Sequence, residues 1–289
     1  MATLVSIPVS NEELAAGKLT PAHLAEAVAA VHRDGAVVLE NVVSANTIEV
    51  LREKMFADLQ AFIDRPDAPF NFNTGNVQQD PPPFPPYLFK DVLTNDFAVE
   101  VTQAVLGRGV KNAYYSGNTA VKSEQRQPTH ADTGQLWSGL EVAPPAHSLV
   151  VNVPLVDVSP ENGSTELWLG THKDCSVSVH DNIKVTPEAL EKWRAISPPI
   201  QPTSKAGSIL IRDIRLWHAG MPNHTDTPRP MIAMIHHTGW LSVGKLKFPK
   251  GTEEFFQHPH LHTSAEFVDT EIDYINAPSA YDFDHAKMK

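Results

Sequence analysis

The chain predicts a mainly β fold with flanking α-helices, a β-sandwich or jelly roll carrying its helices outside. Three observations predict it. Helical periodicity is concentrated in residues 1–65, β-branched runs dominate beyond residue 110, and a proline-rich aromatic stretch at 66–89 separates the two.

In the first part, Thr20 can cap a helix with Pro21 at its first position and Gly35 at its end. Leu24, Val28 and Val31 recur on one face of it, and Ala36-Val-Val-Leu39 follows as a short strand. Ser44 can cap a second helix with Ile48, Leu51, Met55, Leu59 and Phe62 on one face. Pro66, Pro69, Pro81 to Pro83, Pro85 and Pro86 then forbid regular structure, and Phe70, Phe72, Phe84, Tyr87 and Phe89 are interleaved with them. Such a loop is either a lid over a site or a surface segment whose aromatics plug the core. Beyond it, Ser148–Asp157, Gly207–Asp213 and Met231–Ile235 read as strands, and Pro187–Trp193 as a helix.

With 289 residues, 42% hydrophobic and 20% charged, the composition is that of a globular protein with ample length for a buried core. The formal charge of −11 argues against nucleic acid as a partner but permits a small anion held by local cations. The one cysteine, Cys175, excludes a disulfide framework or cysteine-based zinc site within the chain. The Met1–Pro8 segment lacks the basic and long apolar regions of a secretory signal, and Ala286-Lys-Met-Lys289 is not the Ser-Lys-Leu peroxisomal address. No uninterrupted apolar run approaches a membrane span, so a cytoplasmic protein is expected.

His130, Asp132, His218 and Arg229 carry the chemistry. Two imidazoles and one carboxylate can grip one face of a ferrous ion and leave the other positions open. An arginine suits the far carboxylate of a dicarboxylate co-substrate through its planar fork. His-x-Asp alone decides little, because His32-Arg-Asp34, His172-Lys-Asp174 and His224-Thr-Asp226 share it. In an extended segment His130 and Asp132 lie on one face, about 6.6 Å apart along the strand. At a helix end, as for His32 and Asp34, positions i and i+2 diverge by about 200°. His224 and Asp226 fall in a turn-forming Asn-His-Thr-Asp-Thr-Pro string. His172 and Asp174 are not dismissed on these grounds.

Three strings in order resemble the phytanoyl-CoA dioxygenase family of Fe(II)/2-oxoglutarate oxygenases, particularly its fungal natural-product branch. They are Gln127-x-x-His-x-Asp132, Asn162-Gly-Ser-Thr-Glu-Leu-Trp-Leu-Gly-Thr-His172, and Leu216-Trp-His-Ala-Gly-Met-Pro-Asn223 with Pro228-Arg-Pro230. The resemblance implies one dioxygenase domain over 1–289 with a double-stranded β-helix (jelly roll, cupin-like) core at about 110–245. A helical part at about 1–65, a lid loop at about 66–89 and a C-terminal tail surround it. It implies His130, Asp132 and His218 as iron ligands, with Arg229 binding 2-oxoglutarate assisted by Gln127 and Thr165, and O2 as oxidant. His172 falls where the family keeps a structural histidine. The carboxylate at 132 argues against halogenation, since related halogenases lack it.

The substrate is expected to be a compact, mainly apolar small molecule, by resemblance a meroterpenoid or alkaloid-like intermediate. Phe72, Leu136, Val150 and Met234 are candidate walls; Asn73 and Asn152 are candidate anchors. A CoA thioester suits the acidic chain less well. The His258-Pro-His-Leu-His262 tail is read as a solvated or interface segment rather than a second metal site, and a homodimer is expected from relatives. Two other functions compete. One is a zinc-dependent hydrolase, whose metal is also held by two histidines and a carboxylate. The other is a non-catalytic jelly-roll protein binding a metal or small molecule. The hydrolase has no use for Arg229 and Gln127, and the chain lacks His-Glu-x-x-His.

Overall fold

A computed structural model describes residues 3–177 and 183–278. The C-terminal Ala286–Lys289 string weighed above lies outside them. The first half runs β1 (Ser6–Pro8), α1 (Asn11–Ala16), α2 (Pro21–Asp34), β2 (Ala36–Glu40), α3 (Ala45–Ile63), β3 (Asn76–Gln78), α4 (Lys90–Leu93), α5 (Asp96–Leu106) and β4 (Val110–Ala120). The second runs β5 (Ser148–Pro154), β6 (Glu166–Leu167), α6 (Pro187–Ile196), β7 (Ile209–Asp213), β8 (His218–Ala219), β9 (Arg229–His237), β10 (Leu246–Pro249), β11 (Gln257–His258), β12 (Leu261–Thr263) and β13 (Ala265–Val268).

The helix boundaries follow the capping chemistry. Thr20 accepts from the His23 amide, Pro21 opens α2, and Gly35 ends it in the left-handed region. Ser44 caps α3 by accepting from the Thr47 amide. The α5 helix was not anticipated. Asn95 caps it, and Phe97, Val101 and Leu106 are among its buried residues. Its signal was a short apolar stretch that reads equally as a strand.

A large mixed sheet in the order β1-β2-β7-β5-β9-β4-β12-β11 forms one wall of a jelly roll, with β3 also pairing β4. Its centre, β2-β7-β5-β9-β4, is antiparallel. One face packs on the helices: Leu149, Val151 and Val153 of β5, Ile209 and Ile211 of β7, and Ile232 and Met234 of β9 share one core with Ala27 and Val31 of α2, Leu51 of α3 and Val101 of α5. By the two-residue period of a strand, the intervening residues face the other way. Opposite them lies a smaller wall built from β6 paired with β8, extended by bridges from His218 to His130 and from Leu167 to Ile200. The site lies between the two walls.

The tail strands β11 and β12 join the large sheet beside β4. No helix among the described residues is long and apolar enough to cross a membrane.

Candidate metal and co-substrate site

His218 of β8 and His130 face one another across the small wall. Their backbones exchange two hydrogen bonds, 3.0 Å from the His130 amide and 2.9 Å from the His218 amide. The extended run expected at 130–132 is thus confined to His130, which bridges both His218 and Lys184; Asp132 stands in the bend that follows. The bend still carries its carboxylate inward. One ligand atom from each of His130, Asp132 and His218 lies within 4.8 Å of the others, and no other such group occurs among the described residues.

These side chains suit a divalent metal in orientation as well as in distance. His130 Nδ1–H donates to the Pro128 carbonyl at 2.8 Å, and His218 Nδ1–H to the Leu216 carbonyl at 2.9 Å. Each bond fixes the tautomer and leaves an Nε2 lone pair free. Both Nε2 atoms face Asp132 Oδ1, at 3.9 Å for His130 and 3.4 Å for His218. Burial pushes His130 down to about 3, helped by the neighbouring His218, so its imidazole is neutral at ordinary pH. Burial alone would raise the Asp132 carboxyl, but the Arg212 guanidinium and then His218 hold it well below the usual carboxylate range. Two imidazoles and one carboxylate are a donor set for Fe(II).

Arg229 opens β9 and is 3% exposed. Its Nε donates to the Asn162 carbonyl at 3.2 Å, while Nη1 is buried without a partner. A buried cation with a free donor, aimed at the same cavity as the triad, is equipped for an anion.

The cavity holds about 850 Å³ of space, including its open mouth. Gln127, Thr165, Arg229, Val150 and Asn152 line it with the triad. Gln127 Oε1 accepts from the Gly220 amide at 2.7 Å and its Nε2 donates to the Asn71 carbonyl at 3.3 Å, so it also braces the two segments that carry the histidines. Phe72 places its ring 4.6 Å from the His130 ring with φ at 67°, a backbone region uncommon for a non-glycine residue.

Three expected substrate residues lie elsewhere among the described residues. Met234 is one position out of phase: it faces the helices, while Met231, Ala233 and Ile235 line the cavity. Asn73 closes a turn by accepting from the Gly75 amide at 2.9 Å. Leu136 is half-buried and lies outside the lining. The sequence reading also missed Arg212, Leu210, Asn71, Asn76, Tyr114 and Asn118, all of which line the cavity. An arginine alternating with isoleucines in an apolar strand was the available signal for Arg212.

The rival doublets stay apart from the triad. His172 is buried in a 3-10 turn with Nε2 3.3 Å from the His32 carbonyl, and Gly35 packs against its ring. His224 and Asp226 lie in an exposed turn. Burial and Asp174 push the Cys175 thiol up, which disfavours a thiolate.

The family model of the phytanoyl-CoA dioxygenases (PhyH) matches residues 31–231. Among solved structures, the chain is similar to HygX from Streptomyces hygroscopicus, crystallised with nickel, 2-oxoglutarate and hygromycin B bound. The TM-score is 0.54 at 14% identity, over 84% of this chain and 97% of that one. EctD from S. alaskensis, in its apoform, aligns with a TM-score of 0.59 at 20% identity over 85% of each chain. AviO1 from Streptomyces viridochromogenes Tue57 gives 0.56 at 20% identity, over 75% of this chain and 96% of that one. These likenesses establish the shared jelly-roll fold.

Proposed function

The chain belongs to the phytanoyl-CoA dioxygenase family, and from that premise we propose that His130, Asp132 and His218 hold its iron and Arg229 its 2-oxoglutarate. It is a non-haem Fe(II)/2-oxoglutarate dioxygenase. The observation that carries the residue assignment is the convergence of two Nε2 lone pairs and one carboxylate oxygen, each histidine locked from behind by a carbonyl. With iron, 2-oxoglutarate and O2 bound, the site decarboxylates 2-oxoglutarate to succinate and CO2 and uses the second oxygen atom to oxidise an unactivated C–H bond of the substrate.

The protein's own part is placement and exclusion of water. Arg229 meets the far carboxylate with its unpaired Nη1 and thereby aims the keto-acid end at the triad. Gln127 and Thr165 assist along that path. Phe72 and the wall of Val150, Leu210 and Ile235 shield the reacting carbon from solvent.

The substrate proposed for the remaining space is a compact natural-product intermediate, meroterpenoid or alkaloid-like, within secondary-metabolite biosynthesis of the fungal branch. The lining adds a qualification to that apolar expectation. Val150, Leu210, Met231, Ala233 and Ile235 suit an apolar body, while Asn118 and Asn152 suit hydroxyl or carbonyl groups on it. The outcome is hydroxylation, desaturation, rearrangement or endoperoxidation according to the path of the substrate radical. A single domain, a cytoplasmic homodimer and a closing role for residues 66–89 complete the proposal. Asn71 and Asn76 of that segment line the cavity, which supports the last.

Succinate release coupled to substrate is the test. Oxygenated, mainly apolar candidates are screened with Fe(II) and 2-oxoglutarate, and turnover is expected to vanish when either is omitted. Equal activity with zinc and no need for 2-oxoglutarate would instead establish a hydrolase.

A further inference from the structure

A second buried arginine stands behind the carboxylate of the triad. On β7, Ile209 and Ile211 join the helix-side core, so Arg212 points into the cavity. Across β5 it is paired with Val150, and it is 7% exposed. A guanidinium in such a wall demands a partner. Nη2 finds one in Asp132 Oδ2 at 2.6 Å. Nη1 is buried without one.

The consequence for Asp132 is a division of labour between its oxygens. Oδ2 is taken by Arg212, while Oδ1 faces both histidines, 3.4 Å from His218 Nε2 and 3.9 Å from His130 Nε2. A carboxylate left to itself can bind a metal through one oxygen or through both. The second mode uses up a position that a two-toothed co-substrate and O2 need. We propose that Arg212 is a positioning residue that makes Asp132 a one-oxygen ligand, engaging Oδ2 so that only Oδ1 is offered to the metal and the remaining positions stay open. The proposal rests on the assignment of His130, Asp132 and His218 as ligands.

Cobalt(II) serves as the spectroscopic probe, because its visible absorption reports coordination number without turnover. The wild-type Co(II) protein is compared with Arg212→Leu, Arg212→Lys and Asp132→Ala, each checked for folding by circular dichroism. Arg212→Leu is expected to show an altered Co(II) spectrum before any co-substrate is added, and to bind 2-oxoglutarate at least about tenfold more weakly, the usual scale for loss of a ligand's supporting group. Arg212→Lys, which keeps one donor for Oδ2, is expected to recover most of both. A folded Arg212→Leu protein with the wild-type spectrum overturns the proposal, whether 2-oxoglutarate binding is intact or reduced. Reduced binding with that spectrum would mean Arg212 touches the co-substrate instead.

Undiminished Co(II) binding by Asp132→Ala is a different failure, since it removes the ligand assignment and the proposal with it. If Arg212→Leu does not fold, a crystal structure of the wild-type protein with Mn(II) decides. Ligation through Oδ1 with Oδ2 on Arg212 supports the proposal, and both oxygens on the metal overturn it.

Discussion

Replacing Arg229 by methionine is expected to strengthen the empty protein while disabling its co-substrate site. Burial pushes this guanidinium well down from its usual range, to about 10. A depressed value for a cation means the fold disfavours the charged form, so the penalty acts in full below about pH 10 and fades only above it. The side chain is 3% exposed, so water gives it little relief. A fall of that size corresponds to about 3 kcal/mol. Loss of the Nε bond to Asn162 returns about 1 kcal/mol of that. Arg229→Met, which keeps an unbranched side chain in the same space, is therefore expected to stabilise the metal-free protein by about 2 kcal/mol. The same change removes the proposed partner of the far carboxylate, worth about 2–5 kcal/mol for a buried charge pair, or at least about 30-fold in affinity. Urea denaturation at pH 7 reads the first effect, and 2-oxoglutarate titration of the Co(II) protein reads the second. A variant less stable than wild type by about 1 kcal/mol, or one that binds 2-oxoglutarate as before, would contradict these expectations.

Other outcomes follow from the same structure. Burial pushes His147 and His172 down to about 4 and His236 to about 3, so the native state excludes protons that the unfolded chain takes up. Their contribution is complete above about pH 6.5 and is lost as pH falls toward those values. Between about pH 6.5 and 5.5 each loses about 1 kcal/mol, about 3 together, and a urea midpoint flat over that range would contradict it. A Cβ on Gly220 would lie 2.7 Å from Gln127 Oε1, so Gly220→Ala is expected to weaken 2-oxoglutarate binding about tenfold. Gly244→Ala, with nothing within 4 Å, is the matched control and is expected to be neutral. Gly117→Ala would press its Cβ to 2.8 Å from the carbonyls of Gln79 and Met231, and calorimetry is expected to show a loss of about 2 kcal/mol or more.

Much of this was legible in the sequence where chemistry is local. Thr20 with Pro21, Ser44 and Gly35 announce helix ends because caps act over a few residues. The central strands announce themselves through β-branched runs. Parity within a strand is harder, because β5 and β9 are buried on both faces and lose the alternation that assigns sides. Hence Met234 was placed in the wall that Ala233 and Ile235 in fact form. Arg212 lay hidden for a related reason. Its significance is its 2.6 Å contact with Asp132, a partner 80 residues away on another segment. The His130–Asp132 pair was chosen partly on a strand that turns out to be one bridging residue and a bend; what brings the two imidazoles together is the reciprocal backbone pairing of His130 with His218.

On the proposed assignment, His130, Asp132 and His218 present one metal to 2-oxoglutarate held by Arg229. Anaerobic addition of Fe(II) and 2-oxoglutarate tests it most directly, with wild type and Asp132→Ala side by side. The wild-type protein is expected to show a visible metal-to-ligand charge-transfer band that disappears on admitting O2, and the variant to show none. A folded wild-type protein that gives no band, or an Asp132→Ala protein that gives the full one, would contradict it.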